Sequence, residues 1–432
     1  MLKKIKNIIL STDRFLYKKF GTFKSLKLLE NIKEAKIIFS HLNIIGEETK
    51  VRFVGGCVRK VLCGEVVDDI DLATSLEPEE VKTKLTNKNI KTVDVGLSHG
   101  TITAIVNDKK FEITTLRKDI MTDGRHAKVE FTKDWAMDAS RRDFTINAIY
   151  ADIDGRIYDP LSGRLDLKKG IVKFIGSPEE RIKEDYLRIL RYFRFFNEYS
   201  FVEHDNNTIK SIKKNINGLN KISNERIFNE LNKILKSNKL YNLFLNSESN
   251  EIILSIFPQL KYYKRLKIKE SCEKELINKY DNCLILALLI LDGSNEYEYF
   301  CYKYKVSNET KNRLKKISDN YDNLKNKKFY SKENIKKFIY KSSKKDVIDL
   351  LLFAHCELNK SKKINIKELM YFINTIKIPK FPISGDYLKK YGYKAGKELG
   401  EKLKLLEDKW ITNNFTIDEE MIEKLLGKSS HN

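Results

Sequence analysis

The sequence predicts an α+β head followed by a long all-α remainder, and three observations carry that prediction. Strand and turn signals crowd residues 46–165, strand patterns fade from about residue 166, and helical patterns run from there to the end. At 432 residues the chain is too long for one ordinary core, so two or more domains are expected. The segments read from these shifts are a basic extension (1–45), the α+β head (46–165), and three helical stretches at 166–237, 238–378 and 379–432.

Residues 1–45 are basic and amphipathic, with Phe23, Leu26, Leu28, Leu29 and Ile32 at helical spacings, which reads as helices with a capping or RNA-contact role. The head is organised around Arg52–Thr74. Here Arg52–Val54 reads as a strand, Gly55-Gly56 as a tight turn, Cys57 to about Leu62 as a short helix, and the stretch from Val66 through Asp69-Ile70-Asp71 as a second, half-buried strand. Paired glycines at a helix mouth let backbone N–H groups approach a polyphosphate. Carboxylates at i and i+2 of a strand share one face. Two hard oxygen ligands beside a triphosphate suit a Mg²⁺-dependent phosphoryl-transfer site, with Asp69 and Asp71 as metal ligands. Short acidic pairs are ordinarily solvated turns, but Ile70 and Leu72 interleave with these two, and buried carboxylates without a cation are costly.

Pro78-Glu79-Glu80 opens a helix. His99-Gly100-Thr101 leads into the strand Ile102–Val106, Asn107-Asp108 makes a turn, and Phe111–Leu116 returns. Glu112 on that return strand is either a solvent-facing residue or a third carboxylate, activating a hydroxyl or completing a metal shell. Lys118–Met137, centred on Asp123-Gly124-Arg125-His126, reads as a mobile loop over the site. Arg141-Arg142-Asp143-Phe144-Thr145-Ile146-Asn147-Ala148 reads as the approach to an apolar strand and a hairpin turning at Asp154-Gly155. There the arginines are candidates for triphosphate or ribose contact rather than a solvated patch.

Ser177-Pro178-Glu179-Glu180 carries the signature of a helix start. One continuous helix is expected after it, with Asp185, Arg188, Arg191 and Arg194 forming a polar ridge. Such a ridge is ordinarily a charged surface; its rigid spacing also suits a carboxylate acceptor and a guanidinium donor against the edge of a base. Beyond residue 238, lysines interleave with aromatics, as in Lys261-Tyr262-Tyr263-Lys264, which suits a nucleic-acid backbone as well as a solvated helical face. Gly392, Gly396 and Gly400 read as packing or turn glycines.

The balance of 82 basic to 60 acidic residues, a formal +22, points to a polyanionic partner, although a lysine-rich composition also serves solubility. Arginine is more selective: 13 of 16 lie between Arg52 and Arg226. The six cysteines lack metal-finger spacing and read as cytoplasmic thiols. Cys283–Leu291 is too short to span a bilayer, and the apolar patch Ile8–Leu10 is too short for an export signal. His204-Asp205 hints at a metal phosphohydrolase, but no second histidine cluster accompanies it. No feature speaks to oligomeric state.

Taken together, GGCVRK, DDIDLAT, RRDFTINA and EDYLRILRYFRF resemble, in order and spacing, the class II tRNA nucleotidyltransferase and bacterial poly(A) polymerase family, most closely its alphaproteobacterial CCA-adding branch. The resemblance is specific across roughly 50–235 and thin across the C-terminal stretch. It implies a polymerase-β-like head, then a helical neck, body and RNA-binding tail. It further implies that Asp69 and Asp71 hold two Mg²⁺ ions, and that Gly55, Gly56 and Arg59 bind the triphosphate. Arg142 and Asp143 would then lie near phosphate and sugar, while Asp185 and Arg188, supported by Arg191 and Arg194, select CTP or ATP. The implied reaction is template-independent addition of C, C and A to the tRNA 3′ end with release of pyrophosphate. Lys60 departs from the family's usual Asp, which puts the orientation of Arg59 or of the primer in question. Poly(A) polymerase is the alternative. An RNA-binding protein with an inactive head would have no use for the intact aspartates, and a small-molecule nucleotidyltransferase would leave the basic helical half without purpose.

Overall fold

The structure, a computed structural model, describes residues 29, 32–43, 48–96, 100–122, 127–358 and 365–426. The chain forms two compact units, Met1–Ile256 and Phe257–Asn432. Phe23, Leu26 and Leu28 lie outside the described residues. Helix α1 (Lys33–Leu42) buries Ala35, Ile38, Phe39 and Leu42, the one-face spacing of an amphipathic helix, and the Phe39 ring sits 4.8 Å from that of Phe53.

The head follows in order: β1 (Val51–Val54), α2 (Gly56–Leu62), β2 (Ile70–Thr74), α3 (Pro78–Thr86), β3 (Lys91–Gly96), β4 (Thr101–Val106), β5 (Lys109–Thr115), β6 (Arg117–Thr122), β7 (Ala127–Phe131), α4 (Trp135–Ser140), β8 (Tyr150–Ala151) and β9 (Ile157–Tyr158). Seven strands make one mixed sheet in the order β3-β4-β5-β2-β1-β8-β9. The β2–β5 pair is parallel, and the other pairs in this sheet are antiparallel. Phe111, Ile113 and Leu72 point to one buried face, which frees the opposite face of β2 and β5 for polar groups.

Two expectations for the head are corrected, and a third is met with a local difference. The second strand starts at Ile70, because Ile70 is the first residue with a partner on β5; Val66, ahead of it, is 80% exposed. Asp69 therefore stands just before the strand. The presumed loop Lys118–Met137 is largely the two-stranded ribbon β6–β7 followed by α4, which Asp134 caps by accepting from the Ala136 and Met137 amides; Asp123–His126 lies outside the described residues. Arg141–Ala148 leads, as expected, into the antiparallel β8–β9 hairpin, whose turn holds Asp154-Gly155. On the way Phe144 makes a single antiparallel bridge with Phe174, Thr145–Asn147 forms a 3₁₀ turn, and Asp143 accepts from the Phe144 amide and the Asn147 carboxamide.

The first unit continues with α5 (Gly163–Lys169), α6 (Pro178–Glu184), α7 (Arg188–Tyr199), α8 (Asn206–Asn215), α9 (Asn224–Leu235), α10 (Leu240–Leu245) and α11 (Ser247–Ile256). Ser177 caps α6 as expected. The single long helix is not formed. Asp185 has extended backbone (φ −151°, ψ 107°), and its Oδ1 accepts from the Leu187 amide at 3.1 Å, so a second helix starts where the first would have continued. His204 is buried between the Tyr192 hydroxyl (2.9 Å) and the Ser249 hydroxyl (2.7 Å), and burial lowers its pKa to about 4, the behaviour of a neutral packing imidazole.

The described part of the second unit is helical, from Arg265–Glu270 to Glu419–Leu426. Asn282–Ile290 buries nearly its whole length, as its unbroken apolar run predicts. Gly392 and Gly396 have positive φ (91° and 154°) with no atom within 4 Å of a Cβ position, so they serve turns and not packing. Among the described residues no helix is long and apolar enough to cross a membrane.

Candidate active site

The site begins where β1 runs into α2. Gly55 has φ 68° and ψ −118°, its amide donates to the Ile149 carbonyl at 3.1 Å, and a Cβ there would stand 3.4 Å from the Asn147 carbonyl in a backbone conformation that side chains disfavour. Nothing stands within 4 Å of a Cβ at Gly56. In front of this turn lies a cavity of about 1040 Å³.

Asp69 and Asp71 form one wall. Asp71 faces Glu112 in the parallel β2–β5 register, on the face opposite Leu72 and Ile113. Burial raises the Asp71 pKa, the charges of Glu112 and Asp69 raise it further, and Arg142 and Arg59 pull it down. A divalent cation would neutralise this accumulation of negative charge. Among the described residues no three His, Cys, Asp or Glu side chains form a ready-made metal cage. Carboxylates completed by substrate phosphate and water are how Mg²⁺ is usually held, so the donor set fits.

Arg142, Arg188, Arg191 and Arg194 line the same cavity, each set by a carboxylate. Arg142 donates from Nη2 to Asp138 Oδ2 at 3.0 Å and from Nε to the Tyr150 hydroxyl at 3.1 Å. Asp138 is 1% exposed; burial opposes its charge, but Arg142 and Arg141 outweigh it and bring the pKa down to about 2. Asp143 is likewise held at about 2 against burial by Arg191, whose Nε donates to Oδ2 at 2.7 Å, and by Asn147. Arg194 pairs with buried Glu230 at 2.5 Å. Arg188 donates to Glu184 and, at 3.0 Å, to the Arg181 carbonyl. Asp185 Oδ2 accepts from Arg226 Nη2 at 2.8 Å. Arg59 is 5% exposed, donates to the Asn147 carboxamide, and lies 4.7 and 4.9 Å from the Phe195 and Tyr199 rings; its Nε is buried without a hydrogen-bond partner.

Gly55, Gly56, Arg59, Asp69, Asp71, Arg142, Asp143, Asp185, Arg188, Arg191 and Arg194 thus share one cavity. Glu112 is not among its walls and meets the site through Asp71. Lys60 lines the cavity and pairs with Asp68 at 3.1 Å. Sequence reasoning missed Asp138, Asn147, Glu184, Arg226 and Glu230, which orient the arginines and Asp185. Asp138 stands three and four residues before Arg141 and Arg142 on a helical turn, a spacing that signals it; the partners 36 to 41 residues away along the chain leave no local signal.

Comparison with known proteins matches residues 51–173 to the Poly A polymerase head domain and residues 203–264 to the probable RNA and SrmB-binding site of polymerase A. The chain is 36% identical over 400 residues to the mitochondrial CCA tRNA nucleotidyltransferase 1 of Danio rerio, covering 88% of each chain. It is 31% identical to the CCA-adding enzyme of Lactobacillus helveticus, over 87% of this chain and 92% of that one. The Bacillus stearothermophilus CCA-adding enzyme, solved in complex with CTP, superposes with a TM-score of 0.72 at 24% identity over 92% of this chain and 97% of that one. A mixed-sheet head continued by helices, carrying this constellation, defines a polymerase-β-like nucleotidyltransferase. Within that class the chain belongs to the CCA-adding enzyme family.

Proposed function

We infer that this protein adds C, C and A to the 3′ end of tRNA from CTP and ATP, without a nucleic-acid template. The observation that carries this reading is the meeting, in one cavity, of the Gly55-Gly56 turn, the Asp69/Asp71 pair and the Asp185/Arg188 break between α6 and α7. Asp69 and Asp71 are the ligands for two Mg²⁺ ions; when bound, the metal supplies Lewis-acid neutralisation of the charge that develops on the phosphate oxygens. The Gly55-Gly56 turn and Arg142 receive the triphosphate, and Arg59 braces that turn against α7. Asp143 and Arg191 orient the sugar, while Asp185 accepts from, and Arg188 donates to, the edge of the incoming base. The tRNA 3′-oxygen bonds to the α-phosphorus, the bond to the bridging oxygen of pyrophosphate breaks, and Glu112 is the candidate acceptor of the hydroxyl proton.

In this reading the head, neck, body and tail are residues 46–165, 166–237, 238–378 and 379–432 after the 1–45 extension, and basic helices hold the acceptor end. All six cysteines are free, in keeping with a cytoplasmic protein. Incubating the purified protein with tRNA lacking CCA, and with each nucleotide in turn, tests the function. Two CMP followed by one AMP are expected, and incorporation of AMP alone would instead make the protein a poly(A) or A-adding polymerase.

A further inference from the structure

One contact at the edge of this cavity takes no part in the reaction as described. The connection between α2 and β2 ends at Asp69 and is open to solvent for much of its length, Val66 being 80% exposed. Such a segment orders at an entropic cost, so what tethers it matters for the residue at its end. The Lys60–Asp68 pair is exposed and screened. Glu65 is held differently: its amide donates to the Lys60 carbonyl at 2.8 Å, and its Oε2 accepts from the Tyr199 hydroxyl at 3.0 Å. Tyr199 is the last residue of α7, the helix that begins with Arg188. Its ring is 6% exposed and packed on the Arg59 guanidinium, so its position does not depend on the hydroxyl. Burial raises its pKa, which keeps the hydroxyl a donor at neutral pH.

We propose that the Tyr199–Glu65 hydrogen bond is a strap through which α7 holds the Asp69-bearing connection in place for metal binding, making Glu65 and Tyr199 positioning residues for nucleotidyl transfer. This rests on the reading of Asp69 and Asp71 as metal ligands. Tyr199→Phe keeps the ring over Arg59 and removes the hydroxyl, which also meets the Arg59 side chain; Glu65→Ala removes the acceptor and leaves that contact; Glu65→Gln keeps an acceptor.

The test is titration of the full-length protein with Mn²⁺, followed by electron paramagnetic resonance in the presence of a CTP analogue with a non-hydrolysable α,β-bridge. Analogue binding without metal is measured in parallel, and Asp71→Ala serves as reference. Tyr199→Phe and Glu65→Ala are each expected to weaken Mn²⁺ binding by about 5- to 10-fold, the worth of a charge-assisted hydrogen bond. The double variant should be no weaker than Tyr199→Phe alone, Glu65→Gln should recover most of the affinity, and metal-free analogue binding should not change in Glu65→Ala. Wild-type Mn²⁺ affinity in Tyr199→Phe and Glu65→Ala, with affinity lost in Asp71→Ala, overturns the strap and leaves the site reading standing. An equal loss of metal-free analogue binding in Glu65→Ala reduces the contact to pocket shape and overturns it too. Wild-type affinity in Asp71→Ala removes the metal reading and the strap with it.

Discussion

A carboxylate enclosed as fully as that of Asp138 is costly to ionise, and the two arginines that follow it in sequence offset that cost. Its pKa falls from 3.8 to about 2 on folding, so its contribution to stability is fully present above pH ~4 and disappears as pH falls towards ~2. Urea denaturation followed across that window is expected to show a loss of about 2 kcal/mol that Asp138→Asn lacks. At neutral pH, Asp138→Asn is expected to cost about 3 kcal/mol, because Arg141 and Arg142 lose their shared partner, and to raise KM for both nucleotides through a loosened Arg142. Asp71→Asn should fold normally and reduce incorporation to background in a radiolabelled-nucleotide assay. At this scale the sequence was informative where chemistry is local. Gly55-Gly56 and Asp69-Ile70-Asp71 announce themselves by spacing, and the cavity joins them. Glu230, and the bond that Asn147 of the RRDFTINA run makes to Arg59, were invisible, because each is defined by a partner that only the folded chain brings near.

The break between α6 and α7 does at the element scale what a continuous helix cannot. A three-residue charge repeat reads the same whether the backbone is helical throughout or interrupted, so periodicity alone predicts one helix. The interruption turns Asp185 off the helix, where the Leu187 amide and Arg226 fix its two oxygens, while Glu184 fixes Arg188. Asp185→Ala and Arg188→Ala are each expected to lower kcat/KM for CTP about 10- to 100-fold, the value of one oriented polar contact to a base edge, and to blur the choice between CTP and ATP. Competition kinetics with the two nucleotides measures both effects. The ribbon β6–β7 escaped detection for a related reason: its strand from Arg117 to Thr122 mixes charged and apolar residues without clean alternation. Val66-Val67 misled in the opposite sense, since β-branched residues make a strand only where a partner strand waits.

For the whole molecule, the excess of positive charge is spread through a lysine-rich chain, whereas arginine concentrates where geometry is required: Arg59, Arg142, Arg188, Arg191 and Arg194 all face one cavity. Lysine then serves as a diffuse attractor for a polyanion. Affinity for tRNA, measured by filter binding, is expected to fall roughly 10³-fold between about 50 and about 200 mM salt, with incorporation at saturating tRNA far less affected. The α+β head and the helical remainder were legible from pattern changes along the chain; the boundary between compact units at Ile256 was not, because helices continue on both sides of it.

In the proposed function one cavity binds the triphosphate at Gly55-Gly56, the metal at Asp69 and Asp71, and the base at Asp185 and Arg188. A crystal structure with CTP and Mg²⁺ measures all three at once. The cytosine edge is expected within hydrogen-bonding distance of Asp185 and Arg188, with the α-phosphate between the metal and the glycine turn. A nucleotide bound elsewhere, or one whose base leaves both side chains untouched, would contradict it.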